Sequence, residues 1–252
     1  MSGFIVVIPA RYASERLPGK VLRELGGRPM LRHVYDRATE SSAADVVIAA
    51  DDDRVAECAR GFGADVCMTS REHRSGTDRI AEVARIRSWD SDQAVDNLKG
   101  DEPFMLPELI DQCAALLDDP EADIGTLGTQ LDDAHAYADP NVVKVVTDAR
   151  DFAIYFSRAA IPYARTEDTA HLALTTAMHH LGMYAYRVAT LQRFVSAVPS
   201  DLETCEQLEQ LRALSIGMRI KVGRAAVSPG PGIDTEEDLR TAEELLSSGY
   251  LR

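Results

Sequence analysis

With 252 residues the chain is long enough to bury a full hydrophobic core, and α/β chains of this size commonly fold as one unit, so 1–252 reads as a single domain carrying a smaller lobe. Its net charge of −14 opposes extended polyanions, whose binding rests on Lys and Arg neutralising phosphates, so nucleic acid is excluded as a partner. No stretch reaches the ~20 apolar residues of a membrane span. No basic leader precedes an apolar run, and Cys58, Cys67, Cys113 and Cys205 form no close pair of the zinc-site kind, so the chain reads as a soluble protein of a reducing cytoplasm with buried thiols and no membrane partner.

Phe4-Ile5-Val6-Val7-Ile8 is a short apolar run rich in β-branched residues, which predicts a buried strand ending at Pro9, whose missing N–H stops ladder pairing. The loop that follows carries Arg11, Arg16 and Lys20, with Ser14 and Gly19 between them. Ligands of open α/β sheets bind beyond the carboxyl ends of the strands, so three cations there would clamp several phosphates; the plainer alternative is three solvated surface charges. The first 37 residues hold seven Lys or Arg against three Asp or Glu, a basic patch on an acidic chain suited to a small nucleotide.

Pro29 opens a helix with Met30, Leu31, Val34, Tyr35 and Ala38 on one face. A strand over 45–50, a helix capped by Asp52 or Asp53 and stopped at Gly63, and a strand over 64–68 follow. This alternation predicts an α/β fold, a Rossmann-like mixed but mostly parallel sheet with helices on both faces and right-handed crossovers. His73-Arg74-Ser75-Gly76-Thr77-Asp78-Arg79 leads into a helix with Ile80, Val83, Ala84 and Ile86 on one side. Ser75 then sits where free N–H groups favour anions, although by itself it is simply a good N-cap. A fourth strand, 94–98, ends in Lys99-Gly100-Asp101-Glu102-Pro103, so Asp101 projects at the carboxyl edge as a Mg²⁺ ligand or as a turn-forming residue.

Further on, 107–117 reads as a helix, 123–131 as a strand, 142–146 and 153–157 as a hairpin and 165–176 as a mobile loop. A strand over 179–186 precedes one helix over 202–216 with Leu202, Cys205, Leu208 and Leu211 inward, then a short strand over 219–222. The stiff turn 229–232 leads to Asp234, and Thr235 caps a closing helix whose first turn is acidic.

The basic loop, Ile8-Pro9-Ala10-Arg11-Tyr12-Ala13-Ser14-Glu15-Arg16-Leu17-Pro18-Gly19-Lys20, resembles the signature loop of the CTP-using sugar nucleotidyltransferases, most closely the 3-deoxy-manno-octulosonate (Kdo) cytidylyltransferase family. The segments 73–79, Gly100-Asp101-Glu102-Pro103, Tyr155-Phe156-Ser157-Arg158, His180-Leu181-Gly182-Met183-Tyr184, Glu209-Gln210-Leu211-Arg212 and Gly232-Ile233-Asp234-Thr235 match in the family's order. The resemblance extends from Ile8 to Leu239. It implies a nucleotide-diphospho-sugar transferase fold that moves a cytidylyl group from CTP to the anomeric hydroxyl of Kdo, giving CMP-Kdo for lipopolysaccharide and pyrophosphate. It also implies Mg²⁺, and a homodimer formed through a sugar-binding lobe over 132–187.

By the same resemblance Ala10, Arg11, Ser14, Arg16, Lys20, Ser75, Arg79 and Lys99 bind the nucleotide. Arg158, His180, Tyr184, Glu209 and Gln210 bind the sugar, Asp101 and Asp234 hold the metal, and Lys20, Arg16, Asp101 and Asp234 carry the chemistry. The planar fork of Arg158 suits the sugar carboxylate. Without the resemblance, His180 and Tyr184 read as core residues and Glu209 as a solvated helix face.

Lys99 departs from the family, which usually has Gln there. Residues two apart in an extended strand point the same way, so Lys99 is expected to compete with the metal for Asp101 and weaken its loading, or to alter contact with the nucleotide or sugar. Two rival readings stay open: a cytidylyltransferase for a related acidic sugar (amino-Kdo or sialic acid), and a catalytically impaired nucleotide-binding homologue. A dinucleotide-binding enzyme is disfavoured because the first strand lacks the glycine-spaced turn, and the P-loop pattern is absent too.

Overall fold

The computed structural model describes residues 3–14, 16–131 and 133–249; Glu15 of the basic loop and Asp132, the first residue of the expected lobe, lie outside them. Two units are distinguished, Met1–Asp111 with Pro229–Arg252, and Gln112–Ser228, and the expected lobe at 132–187 falls inside the second.

In the first unit the apolar run forms β1 (Ile5–Ala10), followed by a small hairpin of β2 (Glu24–Leu25) and β3 (Arg28–Pro29). Gly26 and Gly27, both at positive φ, make its turn, a signal passed over in the sequence. Then come α1 (Met30–Thr39), β4 (Asp45–Ala50), α2 (Asp53–Gly61), β5 (Asp65–Met68), α3 (Gly76–Ile86), β6 (Ala94–Asn97) and the first residues of α4 (Pro107–Ala115). The strands pair in parallel in the order β6-β1-β4-β5. Right-handed crossovers put α1 and α2 on one face, whereas the return from β5 across to β6 puts α3 on the other. Covered on both faces, β1 and β4 are apolar almost throughout, with Val6, Val7, Ile8 and Ile48 fully buried.

β1 runs through Pro9 to Ala10 rather than ending at the proline. Pairing with β6 stops at Val7 opposite Asn97, and the Pro9 carbonyl faces Gly100 on that same side. The missing N–H points there too, so it leaves no gap in the ladder with β4. Asp96 of β6 is fully buried, with no hydrogen-bond partner for either carboxylate oxygen among the described residues. Burial, helped by the charge of Asp111, pushes its carboxyl well above the ordinary range.

The second unit holds β7 (Ile124–Gln130), α5 (Ala134–Ala138), β8 (Lys144–Thr147), β9 (Ala153–Ser157), α6 (Ala170–Thr176), β10 (Met178–Arg187), α7 (Val188–Val195), α8 (Asp201–Glu206), α9 (Gln210–Ser215) and β11 (Ile220–Arg224). β10 lies antiparallel to β7 and β8, β8 and β9 form the expected hairpin, and β11 is parallel to β7, so the sheet is mixed.

Two expectations are corrected here. The stretch 165–176 is a 3₁₀ turn (Glu167–Thr169) running into α6, not a loop. Of α6 only Ala173 is buried, so no apolar stripe announced it. The helix expected over 202–216 is two, because Gln207 adopts a left-handed conformation at φ 54 and ends α8. The break turns Leu202 and Cys205 outward, while Leu208 and Leu211 are buried as expected.

The chain returns to the first unit through α10 (Glu236–Ser247), capped by Thr235 as the sequence indicated. Leu239 and Ala242 pack with Ile233, Leu17, Leu25, Met30 and Phe104. Leu17 thereby anchors the basic loop in a core of its own.

Candidate active site

The site forms at the carboxyl edge of the first unit's sheet. The chain leaves β1 toward β4 but comes back across it to β6, and such reversals are where open α/β sheets take ligands. Leu17 fixes the middle of the basic loop, and Gly19, left-handed at φ 66, turns it into a short helix beginning at Lys20. From there the Lys20 ammonium reaches Asp101 Oδ2 at 2.5 Å and Asp234 Oδ1 at 2.8 Å, and the second oxygen of Asp234 takes Arg16 Nη2 at 2.9 Å. The two carboxylates are positioned together because Ile233 N–H donates to the Asp101 carbonyl at 3.0 Å. Asp238 then accepts from the N–H groups of Asp234 and Thr235, locking the segment into the cap of α10.

Burial alone would raise the Asp234 carboxyl, but the hydrogen bond and charge of Lys20, with Arg16 and Lys99 adding to them, hold it below the ordinary range. Among the described residues no group of three or more His, Cys, Asp or Glu forms a ready-made metal cage. Two carboxylates sharing one ammonium do fit Mg²⁺, which usually takes one or two carboxylates and completes its shell with substrate phosphates and water.

Lys99 does not face Asp101 as expected. The strand ends at Asn97 and the chain turns, with Glu102 N–H on the Lys99 carbonyl at 3.3 Å, so Lys99 Nζ lies 3.3 Å from Glu102 instead. Gly100 is needed for closeness rather than for a positive φ: a Cβ there would stand 3.0 Å from the Pro9 carbonyl.

The remaining residues assigned to the nucleotide divide in two. Arg11 and Arg16 are exposed, Ser14 is half-buried and Ala10 is buried at the end of β1, all at the sheet's edge. Ser75 caps α3 through a capping box with Asp78. Arg79 is buried, with its guanidinium on Asp51 Oδ2 at 3.0 Å, Thr69 Oγ1 at 2.5 Å and the Ser70 carbonyl at 3.1 Å. Asp51, its partner, was passed over in the sequence, although three consecutive acids after a strand were a signal.

In the second unit His180 and Tyr184 flank the bulge of β10, with ring centroids 5.3 Å apart and Phe156 against His180. Thr126 Oγ1 donates to the Met183 carbonyl at 2.6 Å, so it accepts from His180 Nε2 at 3.0 Å, which places the imidazole hydrogen on Nε2. Burial, then the charge of Glu209, pushes the Tyr184 phenol far up. Gln210 is buried at the start of α9. Arg158 directs its guanidinium to backbone carbonyls, Glu206 at 2.8 Å and Pro140 at 3.0 Å, while Glu206 accepts from Ser157 Oγ and Arg158 N–H.

Residues 5–220 match the family model described as cytidylyltransferase. The chain is 49% identical to the 3-deoxy-manno-octulosonate cytidylyltransferase of Thioalkalivibrio sulfidiphilus, over 96% of this chain and 98% of that protein. It is 50% identical to the protein of the same name from Marinobacter nauticus, over 99% of each. The chain belongs to the 3-deoxy-manno-octulosonate cytidylyltransferase family. A solved structure of CMP:2-keto-3-deoxy-manno-octonic acid synthetase complexed with CTP superposes with a TM-score of 0.90 at 39% identity, over 98% of this chain and 100% of that one. A cytidylyltransferase from Leptospira borgpetersenii, 16% identical with a TM-score of 0.64, shares the fold.

For a 3-deoxy-manno-octulosonate cytidylyltransferase the position of Lys99 matters. Its ammonium pairs with Glu102 while its charge still reaches Asp101 and Asp234, which Lys20 holds together.

Proposed function

We propose that this chain catalyses attack of the anomeric hydroxyl of Kdo on the α-phosphorus of CTP, forming CMP-Kdo for lipopolysaccharide synthesis and releasing pyrophosphate. The observation that carries the reading is the pair Asp101 and Asp234, gathered on the Lys20 ammonium beside Arg16. Negative charge grows on the transferring phosphoryl group and on the departing pyrophosphate, so catalysis here is alignment and charge stabilisation without a covalent nucleophile. Arg11, Arg16 and Lys20 hold the triphosphate from the basic loop. Asp101 and Asp234 hold Mg²⁺, which when bound lowers the pKa of the sugar hydroxyl and neutralises the leaving group.

His180, Tyr184, Glu209 and Gln210 are assigned to the sugar, and Arg158 to its carboxylate, an engagement for which the guanidinium must leave the carbonyls of Glu206 and Pro140. The chain is proposed to act in the cytoplasm, a reading supported by its cysteine usage, and as a homodimer, a reading supported by the family it resembles. Among the described residues no helix is long and apolar enough to cross a membrane.

The test is pyrophosphate release with CTP and Mg²⁺ across Kdo, its amino derivative and sialic acid. Preference for Kdo is expected. A faster rate with either other sugar would reassign the acceptor, and no release with any of them would refute the reading. Sedimentation of the purified chain checks the dimer.

A further inference from the structure

Tyr12, early in the basic loop, is held at several points. Its N–H donates to Asp51 Oδ1 at 3.0 Å, its carbonyl accepts from Gly19 N–H at 3.3 Å, and the Arg54 guanidinium lies over its ring, 3.4 Å from the centroid. Gly19 lies beside the ring, where a Cβ would stand 3.4 Å from Tyr12 Cε2. Asp52 binds Arg54 through both oxygens, at 2.8 and 2.9 Å, and Arg71 spans Asp52 and the Asp51 carbonyl. The second oxygen of Asp51 meets the buried Arg79. Gly19 immediately precedes Lys20, so the contacts that fix Tyr12 also fix the point from which Lys20 reaches Asp101 and Asp234.

We infer that Tyr12 and Arg54 are positioning residues, a brace that preforms the basic loop for the triphosphate and acts through the loop rather than on the substrate. Arg16 and Lys20 lie on the carboxylates of Asp101 and Asp234, and a loop free to leave that arrangement would have to be reordered at each binding event. Holding it in place beforehand removes that cost from binding. Arg54 stands in the first turn of α2 with more than half of its side chain exposed, so its stacking on Tyr12 is separable from the core. The same geometry makes Arg79, expected at the nucleotide, the far anchor of the brace.

This rests on the assignment of the loop to the triphosphate, and two readouts keep the ideas apart. Trypsin cleavage after Arg11 and Arg16 is followed in the full chain without nucleotide, for wild type, Arg54→Met, Tyr12→Leu, Tyr12→Phe and the Met/Leu double variant. Arg54→Met and Tyr12→Leu are each expected to be cut about fivefold faster, Tyr12→Phe to behave like wild type, and the double variant to be no faster than either single one. KM for CTP should rise by a similar factor, with kcat at saturating CTP changed less than twofold. Equal cleavage of wild type and Arg54→Met overturns the brace whether or not CTP is turned over, and faster cleavage with unchanged KM overturns its link to the triphosphate. Faster cleavage of the variants, in a chain whose wild type releases no pyrophosphate, upholds the brace and refutes the catalytic reading. Should Tyr12→Leu fold poorly, the exposed Arg54→Met decides.

Discussion

The Lys20 ammonium sits 2.5 Å from Asp101 Oδ2 while also touching Asp234, so one lysine joins the two carboxylates proposed to hold Mg²⁺. Under the proposed function the same ammonium would move to phosphate when CTP binds, leaving the two carboxylates for the metal. Nucleotide and metal should therefore load together.

Lys20→Met separates these roles. kcat/KM is expected to fall by ~10²–10³, the loss typical of one charge contact to a transition state. Binding of Mn²⁺ without nucleotide, read by electron paramagnetic resonance, should instead tighten, because no ammonium competes. Weaker Mn²⁺ binding in Lys20→Met would mean that the lysine assembles the carboxylates rather than holding their place.

Lys99→Gln removes a cation that helps hold the Asp234 carboxyl down. A nearby charge at a wet surface contributes on the order of 1 kcal/mol, so the Mg²⁺ concentration for half-maximal rate should drop about fivefold. An unchanged titration would show Lys99 to be fully neutralised by Glu102.

Gly100→Ala tests how finely the Asp101 turn is placed. The new methyl group would press on the Pro9 carbonyl at 3.0 Å and on Val21, displacing the turn by a fraction of an ångström. A misplacement of about 1 Å costs about 10²-fold in rate, so this smaller shift should lower kcat by up to ~10-fold while the melting temperature shifts little. A fall in stability alone would locate the role of Gly100 in folding.

Asp96 supplies a pH signature. Its carboxyl is raised in the folded chain, so the folded state keeps a proton that the unfolded state releases above about pH 4. Stability carried by that proton is complete below pH 4 and is lost as pH rises toward the folded value. Relative to Asp96→Asn, wild type should lose about 1.4 kcal/mol per pH unit across this window, measured by urea unfolding at a series of pH values. Parallel stability curves would show that Asp96 is ionised in the fold.

On the sugar side, Thr126→Val removes the hydroxyl that bridges His180 and the Met183 carbonyl. KM for Kdo should rise by about five- to tenfold, the usual worth of a buried hydrogen bond, while KM for CTP stays put. Equal effects on both substrates would disconnect His180 from the sugar.

Much of this was readable from residue order. The apolar runs of β1 and β4, the caps at Asp52, Ser75 and Thr235, and the acidic first turn of α10 all lie where propensity and periodicity put them. The failures share a cause. Gln207 breaks a helix whose apolar spacing continues past it, and α6 buries too little apolar surface to show a period. Lys99 was placed by strand geometry in a stretch that had already begun to turn.

The amino-acid order alone determined the kinds of charge available and their station at strand ends, because those follow from local pattern and from the punctuation of Pro, Gly and capping residues. Which charges meet was decided only by the tertiary structure. Lys20 lies 81 and 214 positions from the two carboxylates it joins, and Arg79 is paired with Asp51 because α3 and β4 pack against each other. An ion pair is selected by the few ångströms between its members, and only packing fixes that separation.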